Sequence, residues 1–145
     1  MPIVRILLAG RQVCYSRDIM IGYTGNIEEL TKDNSNFRQV LYTGKYMQLV
    51  VMKLNVGEEI GMEVHPTVDQ FFRIKVGQAK FIVNGEGTEV KEEGVFIVPA
   101  GSEHNVINTG TGKLRLYTIY APPNHPEGTI HATKADAEVA EAAKH

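Results

Sequence analysis

The sequence predicts an all-β domain, an antiparallel sandwich or barrel, that is followed by a short helix. Short apolar stretches alternate with tight turns from residue 38 to residue 120, and no helical period lies between them. Asn84-Gly85 is a strong hairpin signal, because both central positions of a type I′ turn need a positive φ. Frequent alanines after Thr133, with Asp136 three residues later, predict a helix that begins with a capping box.

Length and composition suit one compact domain. The chain has 145 residues, 43% of them hydrophobic, and 15 basic residues stand against 17 acidic ones without a run of like charge. We therefore expect neither a nucleic-acid partner nor a membrane partner. The single cysteine, Cys14, excludes an intramolecular disulfide and fits the reducing cytoplasm, where we place the protein. The first apolar run, residues 6–9, is too short for a membrane span or a signal-peptide core.

The chain divides into three parts. Residues 1–22 are expected to be an N-terminal extension, residues 23–123 the barrel, and residues 124–145 a tail with the short helix. Two interpretations of the first part stay open. It is an addition upstream of an alternative start at Met20, or an edge strand that pairs with the barrel or with a partner subunit.

Turn residues and apolar runs define the elements of the barrel. Asn26 is a candidate N-cap for one helical turn. The stretch 46–54 is apolar on both strand faces, so we expect both faces to be buried. Pro122-Pro123 ends the last strand. The predicted strands span residues 38–42, 46–54, 70–76, 79–84, 88–91, 95–98, 104–108 and 114–120.

Four polar side chains near strand ends form a candidate metal site. Glu63 and His65 are two residues apart, so on a strand they share a face. Gln70 opens the run QFFRIKV, and His104 follows the turn Pro99-Ala100-Gly101. A lone histidine is more often an ordinary half-buried residue. A carboxylate between apolar neighbours, however, is costly to bury unless a cation compensates it.

These two segments resemble the paired motifs of the cupin superfamily. The first motif has a Gly, five residues, His-x-His, three or four residues, Glu, six residues and Gly. The second has Gly, about five residues, Pro-x-Gly, two residues, His, three residues and Asn. The residues that this chain keeps are Gly57, His65, Gly77, Gly94, Pro99, Gly101, His104 and Asn108. It departs at Glu63, where the first His is usual, at Gln70, where the Glu is usual, and in a Gly94–Pro99 spacing that is one residue short.

The resemblance to small single-domain cupins, of the type named mannose-6-phosphate-isomerase-like, implies a double-stranded β-helix or jelly-roll barrel with a short C-terminal helix. It also implies one divalent transition metal ion, Fe, Mn, Ni, Cu or Zn, held by Glu63, His65 and His104. Gln70 is either a fourth ligand or a hydrogen-bond partner of Glu63 or of a metal-bound water. Two histidines and a carboxylate suit a facial site with open positions. Glu63 is also the candidate general base.

Two further residues are assigned to the pocket. Phe72 shares the strand face of Gln70, where it lines the pocket mouth or packs inside the barrel. His131 is a candidate pocket contact, because the resemblance includes cupins whose tails fold back over the barrel. The tail helix has Val139 as its single large apolar residue, so we expect a surface or trailing element that packs on a partner subunit.

The resemblance implies a metal-dependent enzyme for a small oxygen-rich organic molecule, with dioxygenase-type or isomerase-type chemistry. A non-catalytic binding or sensor cupin, whose ion anchors a small ligand, is the alternative. A structural barrel without metal is the third interpretation. We also expect a homodimer, from the habit of the family and because strands apolar on both faces need cover.

Overall fold

The computed structural model of the chain describes residues 3–8, 11–16 and 22–143; the alternative start at Met20 lies outside them. The strands are β1 (Ile3–Leu8), β2 (Arg11–Ser16), β3 (Arg38–Thr43), β4 (Gln48–Leu54), β5 (Glu63–Val64), β6 (Asp69–Val76), β7 (Ala79–Val83), β8 (Glu86–Val90), β9 (Val95–Val98), β10 (Glu103–Asn108), β11 (Leu114–Ala121) and β12 (Ile130–His131). The helices are α1 (Ile27–Lys32) and α2 (Lys134–Ala142). Strands β1 and β2 pair with each other in an antiparallel sheet.

Within residues 22–143, the strands form two antiparallel sheets. One has the order β5-β10-β7-β8, and the other has the order β12-β3-β4-β11-β6-β9. Aromatic contacts join the two sheets: the ring of Phe81 lies 5.0 Å from that of Phe72 and 4.8 Å from that of Phe96. The hydrophobic core therefore lies between the sheets, and the prediction of an all-β fold with a C-terminal helix is confirmed.

Strand β4 is buried on both faces, as predicted. Alternation along the strand places Val50 on the inner face and Val51 on the outer face, and both are fully buried. Helix α1, capped at its start by Asn26, packs against β4, β6 and β11 and covers the outer face. Because this cover comes from the same chain, burial of both faces does not require a second subunit. The strand begins at Gln48 rather than at the predicted Tyr46, which is exposed in the preceding turn.

The predicted hairpin at Asn84-Gly85 is confirmed, and it also positions the second motif. The φ values are 49° at Asn84 and 84° at Gly85. The backbone N–H of Asn84 donates to the carbonyl of Glu103 at 2.8 Å, and the Asn84 side chain accepts from the N–H of Glu103 at 3.1 Å. The hairpin therefore fixes the first residue of β10, directly before His104.

Asn108, the last residue of the second motif, joins three chain segments. Its Nδ2 lies 3.1 Å from the carbonyl oxygens of Leu54 and Asn55 and 3.0 Å from that of Gly112. Its Oδ1 accepts from the backbone N–H of Gly110 at 3.0 Å. The side chain is buried, so these contacts replace water for four backbone groups. They connect the end of β4 to the turn that precedes β11.

Helix α2 begins at the capping box predicted for Thr133 and Asp136. Most of the helix is exposed, as expected for a surface element, but it does not merely trail, because Ala137 is buried in the core cluster of the same chain. A helix with small side chains can approach the barrel closely even though it buries little apolar area. Neither α2 nor α1, the helices of the described residues, is long and apolar enough to cross a bilayer.

Candidate metal centre

Glu63 and His65 lie on one face of the chain at β5, as the sequence predicts. Oε2 of Glu63 is 2.9 Å from Nε2 of His65. Nε2 is nevertheless buried without an aligned hydrogen-bond partner among the described residues. Two ligand atoms that bind one ion at right angles, each about 2.1 Å from it, would be about 3.0 Å apart. The spacing therefore fits two adjacent ligands of a shared ion.

His104 approaches the pair from the neighbouring strand. It lies opposite Glu63 in the register of β10 with β5, and its ring centroid is 5.2 Å from that of His65. Nδ1 is 2.9 Å from the carbonyl oxygen of Ser102, an acceptor, so Nδ1 carries the proton. Nε2 consequently presents its lone pair, as is usual for a metal-binding histidine whose second nitrogen is held by a carbonyl.

The three side chains form a group that can hold a metal ion. One ligand atom from each of Glu63, His65 and His104 lies within 4.8 Å of the other two. Two backbone contacts keep the contributing turns together: the N–H of Gly101 donates to the carbonyl of His65, and the N–H of Ala100 donates to the Asp69 carboxylate, each at 2.9 Å. Gly101 has a φ of 86°, which favours glycine at this turn.

Gln70 is almost completely buried on β6. Its Nε2 donates to Oγ1 of Thr118 at 3.0 Å, whereas its Oε1 has no hydrogen-bond partner among the described residues. A buried acceptor without a partner is costly, and a nearby cation or a bound water would satisfy it.

The electrostatic environment keeps Glu63 ionised. Burial raises the pKa of Glu63, but the contact with His65 and the positive charge of Arg38 outweigh it, so the pKa lies below its usual value. The side chain is therefore a carboxylate at neutral pH. A lowered pKa also makes it a weak general base, which favours the role of ligand over that of base.

A cavity of about 470 Å³ lies beside these ligands. Its walls are Phe37 and Arg38, residues 60–65 with Glu63 and His65 among them, Asn124 and His125 of the tail, and one side of α2. This volume is in the range of small-molecule sites. Neither Phe72 nor His131 is among the residues that line this cavity: Phe72 packs in the core, and Nδ1 of His131 lies 3.4 Å from Nη1 of Arg38.

Three residues near the cavity have no counterpart among the sequence-based assignments: Arg38, Tyr120 and His125. The Tyr120 hydroxyl is 3.1 Å from Nε2 of His125, and its ring centroid is 5.9 Å from that of His65. Burial raises the pKa of Tyr120 to about 12, so the hydroxyl stays protonated and can donate a hydrogen bond at neutral pH. Arg38 and Val40 are two residues apart on β3 and share its buried face. Alternation along the strand could therefore have indicated that Arg38 is buried.

Gln48 explains how the tail reaches the cavity. Its Nε2 donates to the carbonyl of His125 at 2.7 Å, and its Oε1 accepts from the N–H groups of Asn124 and His125 at 3.1 and 2.9 Å. Gln48 is itself fully buried. Because the two segments are 76 residues apart in the sequence, no local pattern could reveal this contact.

Comparison with known proteins identifies a family and several relatives. The family profile described as Cupin domain matches residues 50–120. The Bacillus subtilis protein YrkC is 52% identical over 123 residues, which are 80% of this chain and 66% of that protein. The chain thus spans slightly less than two thirds of that relative's length.

Solved structures agree with this match. A crystal structure from Bacillus halodurans has a TM-score of 0.79 and 44% identity, and the alignment covers 80% of this chain and 92% of that one. The cupin domain of Cnp3 from Schizosaccharomyces pombe has a TM-score of 0.61 at 22% identity, covering 84% and 87% of the two chains. The second likeness shows the fold alone. The expected double-stranded β-helix is confirmed.

Proposed function

This chain belongs to the cupin family, and we propose that it is a metal-dependent enzyme acting on a small, oxygen-rich organic molecule. The observation that carries the proposal is the convergence of Glu63, His65 and His104 within 4.8 Å of one another, two of them on the wall of the cavity. The donor set, two imidazoles and one carboxylate, suits Fe, Mn, Ni, Cu or Zn as the divalent ion.

The chain's own residues have distinct tasks in this proposal. Ser102 holds the His104 ring in the tautomer that can bind the ion. Tyr120, with His125, supplies a neutral hydroxyl that can donate a hydrogen bond toward the site. Helix α2 and the tail form one wall of the cavity. A bound divalent ion would polarise a substrate oxygen or activate dioxygen or water, the chemistry of dioxygenases and isomerases.

Gln70 supports the ion in this proposal as a weak fourth ligand through its unpartnered Oε1. Replacing Gln70 with Glu puts a charged oxygen where the neutral one stands, so we expect divalent metal ions to bind at least about tenfold more tightly. Titration of the metal-free protein with Zn²⁺ measures the change. Gln78→Glu, at the far turn after β6, is the matched control and should leave the affinity unchanged. Unchanged or weaker binding by Gln70→Glu would remove Gln70 from the ligand set.

A non-catalytic small-ligand binder or sensor is the second candidate function. The neutral Gln70 at a position where a carboxylate is usual favours it, because the site then holds fewer ionisable groups for proton transfer. In this alternative the ion anchors a ligand, and Tyr120 and Arg38 provide polar contacts without turnover.

Turnover measurements separate the two functions. The purified protein is loaded in turn with Fe²⁺, Mn²⁺, Ni²⁺, Cu²⁺ and Zn²⁺ and supplied with a panel of diols, enols and keto acids. Oxygen consumption and product isomers are followed, with His104→Ala treated identically. We expect turnover with at least one metal and none with the variant. Ligand binding without turnover for every metal would establish the binder instead.

A further inference from the structure

We propose that the cavity takes a small organic acid and that the guanidinium of Arg38 binds its carboxylate, while oxygen atoms at the other end of the acid meet the metal. The substrate class is thereby narrowed from oxygen-rich molecules in general to carboxylates. The part of the proposal that concerns the metal rests on the function proposed above; the contact with Arg38 does not.

Arg38 is a buried cation that no carboxylate of the described residues contacts directly, although its charge is felt by Glu63, the residue assigned to the metal. Arg38 is 6% exposed, and no carboxylate of the described residues lies within ion-pair distance of it. Its Nε also has no hydrogen-bond partner in that part of the chain. Arg73 differs, because it pairs with Glu93 at the surface. A buried charge is normally paired, so the environment of Arg38 points to an anion that comes from outside the chain.

The contacts of Arg38 orient it without neutralising it. Its guanidinium carbon lies 5.3 Å from the ring centroid of Phe37, and Nη1 is 3.4 Å from Nδ1 of His131. The backbone is held where Arg38 pairs with Met52 of β4. Aromatic and imidazole neighbours can stack against or accept from a guanidinium, but they carry no negative charge at neutral pH. They position a cation on the cavity wall.

The charges around the cavity favour an anion at this end. Lys134 and Glu138, both on the α2 wall, lie 3.7 Å apart and offset each other. A divalent ion held by Glu63 and two neutral imidazoles would leave one net positive charge, and Arg38 adds another. Glu141, also on the α2 wall, offsets one of the two, so the lining with its ion keeps a net positive charge. A neutral sugar or diol would leave the guanidinium unpaired. A carboxylate matches its fork of N–H donors with two parallel hydrogen bonds.

Calorimetric titration with γ-hydroxybutyrate and with its amide, γ-hydroxybutyramide, tests the proposal. The two probes have nearly the same shape, and the amide lacks the single carboxylate. We expect wild-type protein loaded with Zn²⁺ to prefer the acid by at least about tenfold, as charge-assisted bonds exceed neutral ones. In Arg38→Gln the preference should fall to about one. Arg38→Lys should retain part of it, because the charge remains while the fork is lost.

The controls separate this inference from the metal site. Arg73→Gln makes the same substitution outside the cavity and should keep the full preference. Zinc content is measured first, and the titrations are repeated on metal-free protein, where the ratio should still depend on Arg38. Absence of bound zinc would contradict the proposed function alone. A preference that survives Arg38→Gln, or that is lost in Lys134→Gln instead, would overturn the role of Arg38 whether or not zinc binds. If Arg38→Gln does not fold, an undiminished preference in Arg38→Lys would also count against it.

Discussion

Replacing His104 with alanine is expected to weaken the binding of a divalent metal ion by more than about a hundredfold. Loss of a residue that merely orients a ligand costs about 10- to 100-fold, and loss of the ligand itself should exceed that. His104 is buried, its ring faces His65, and its Nε2 is the atom left available by the bond to Ser102. The expected consequence is that purified protein falls from about one bound ion per chain to nearly none.

The matched control for this experiment is His125→Ala. His125 lines the same cavity but is not part of the group formed by Glu63, His65 and His104. We expect the control to retain its metal and to keep the rise in melting temperature that metal produces, because binding to the folded state alone stabilises it. Equal metal loss in both variants, or none in His104→Ala, would contradict the assignment of His104.

Replacing Asn108 with alanine is expected to lower the free energy of unfolding by about 3 kcal/mol. Each hydrogen bond contributes about 1 kcal/mol net, and buried carbonyls left without a donor cost more. The substitution removes the donor for three carbonyl oxygens and the acceptor for the N–H of Gly110. Urea unfolding measures the loss as a lower midpoint with an unchanged slope.

Asn105, on the same strand, provides the comparison. It is also buried, but the bond described for its side chain is a single one, in which Oδ1 accepts from the N–H of Gly61 at 2.8 Å. Asn105→Ala should therefore cost about 1 kcal/mol. If the two variants are equally destabilised, the set of contacts around Asn108 does not explain why a motif residue stands there.

The parts of the site that were predictable depend on local periodicity. Glu63 and His65 share a face because side chains alternate on an extended chain, and His104 follows a turn defined by a proline and a glycine. The hairpin at Asn84-Gly85 and the capping box at Thr133 have equally local causes. For these residues the physical reason and the sequence signal are the same.

The parts that were missed depend on contacts between distant segments. Gln48 holds the tail at His125, and this tail together with α2 closes one side of the cavity. Helix α2 has low apolarity, which predicts a surface or trailing element. It does lie largely at the surface, yet its small residues permit close packing at Ala137 that apolarity does not measure. Phe72 shares a strand face with Gln70, and both are buried. Alternation along a strand tells which face a side chain is on, but not whether it reaches the core or the cavity.

Anomalous X-ray scattering from crystals of the metal-loaded protein, measured at the absorption edge of that metal, tests the metal centre most directly. We expect one peak per chain, about 2.0–2.2 Å from a Glu63 carboxylate oxygen and from Nε2 of both His65 and His104. A peak elsewhere in the chain, or no peak from protein saturated with metal ions, would contradict a shared ion at these three residues.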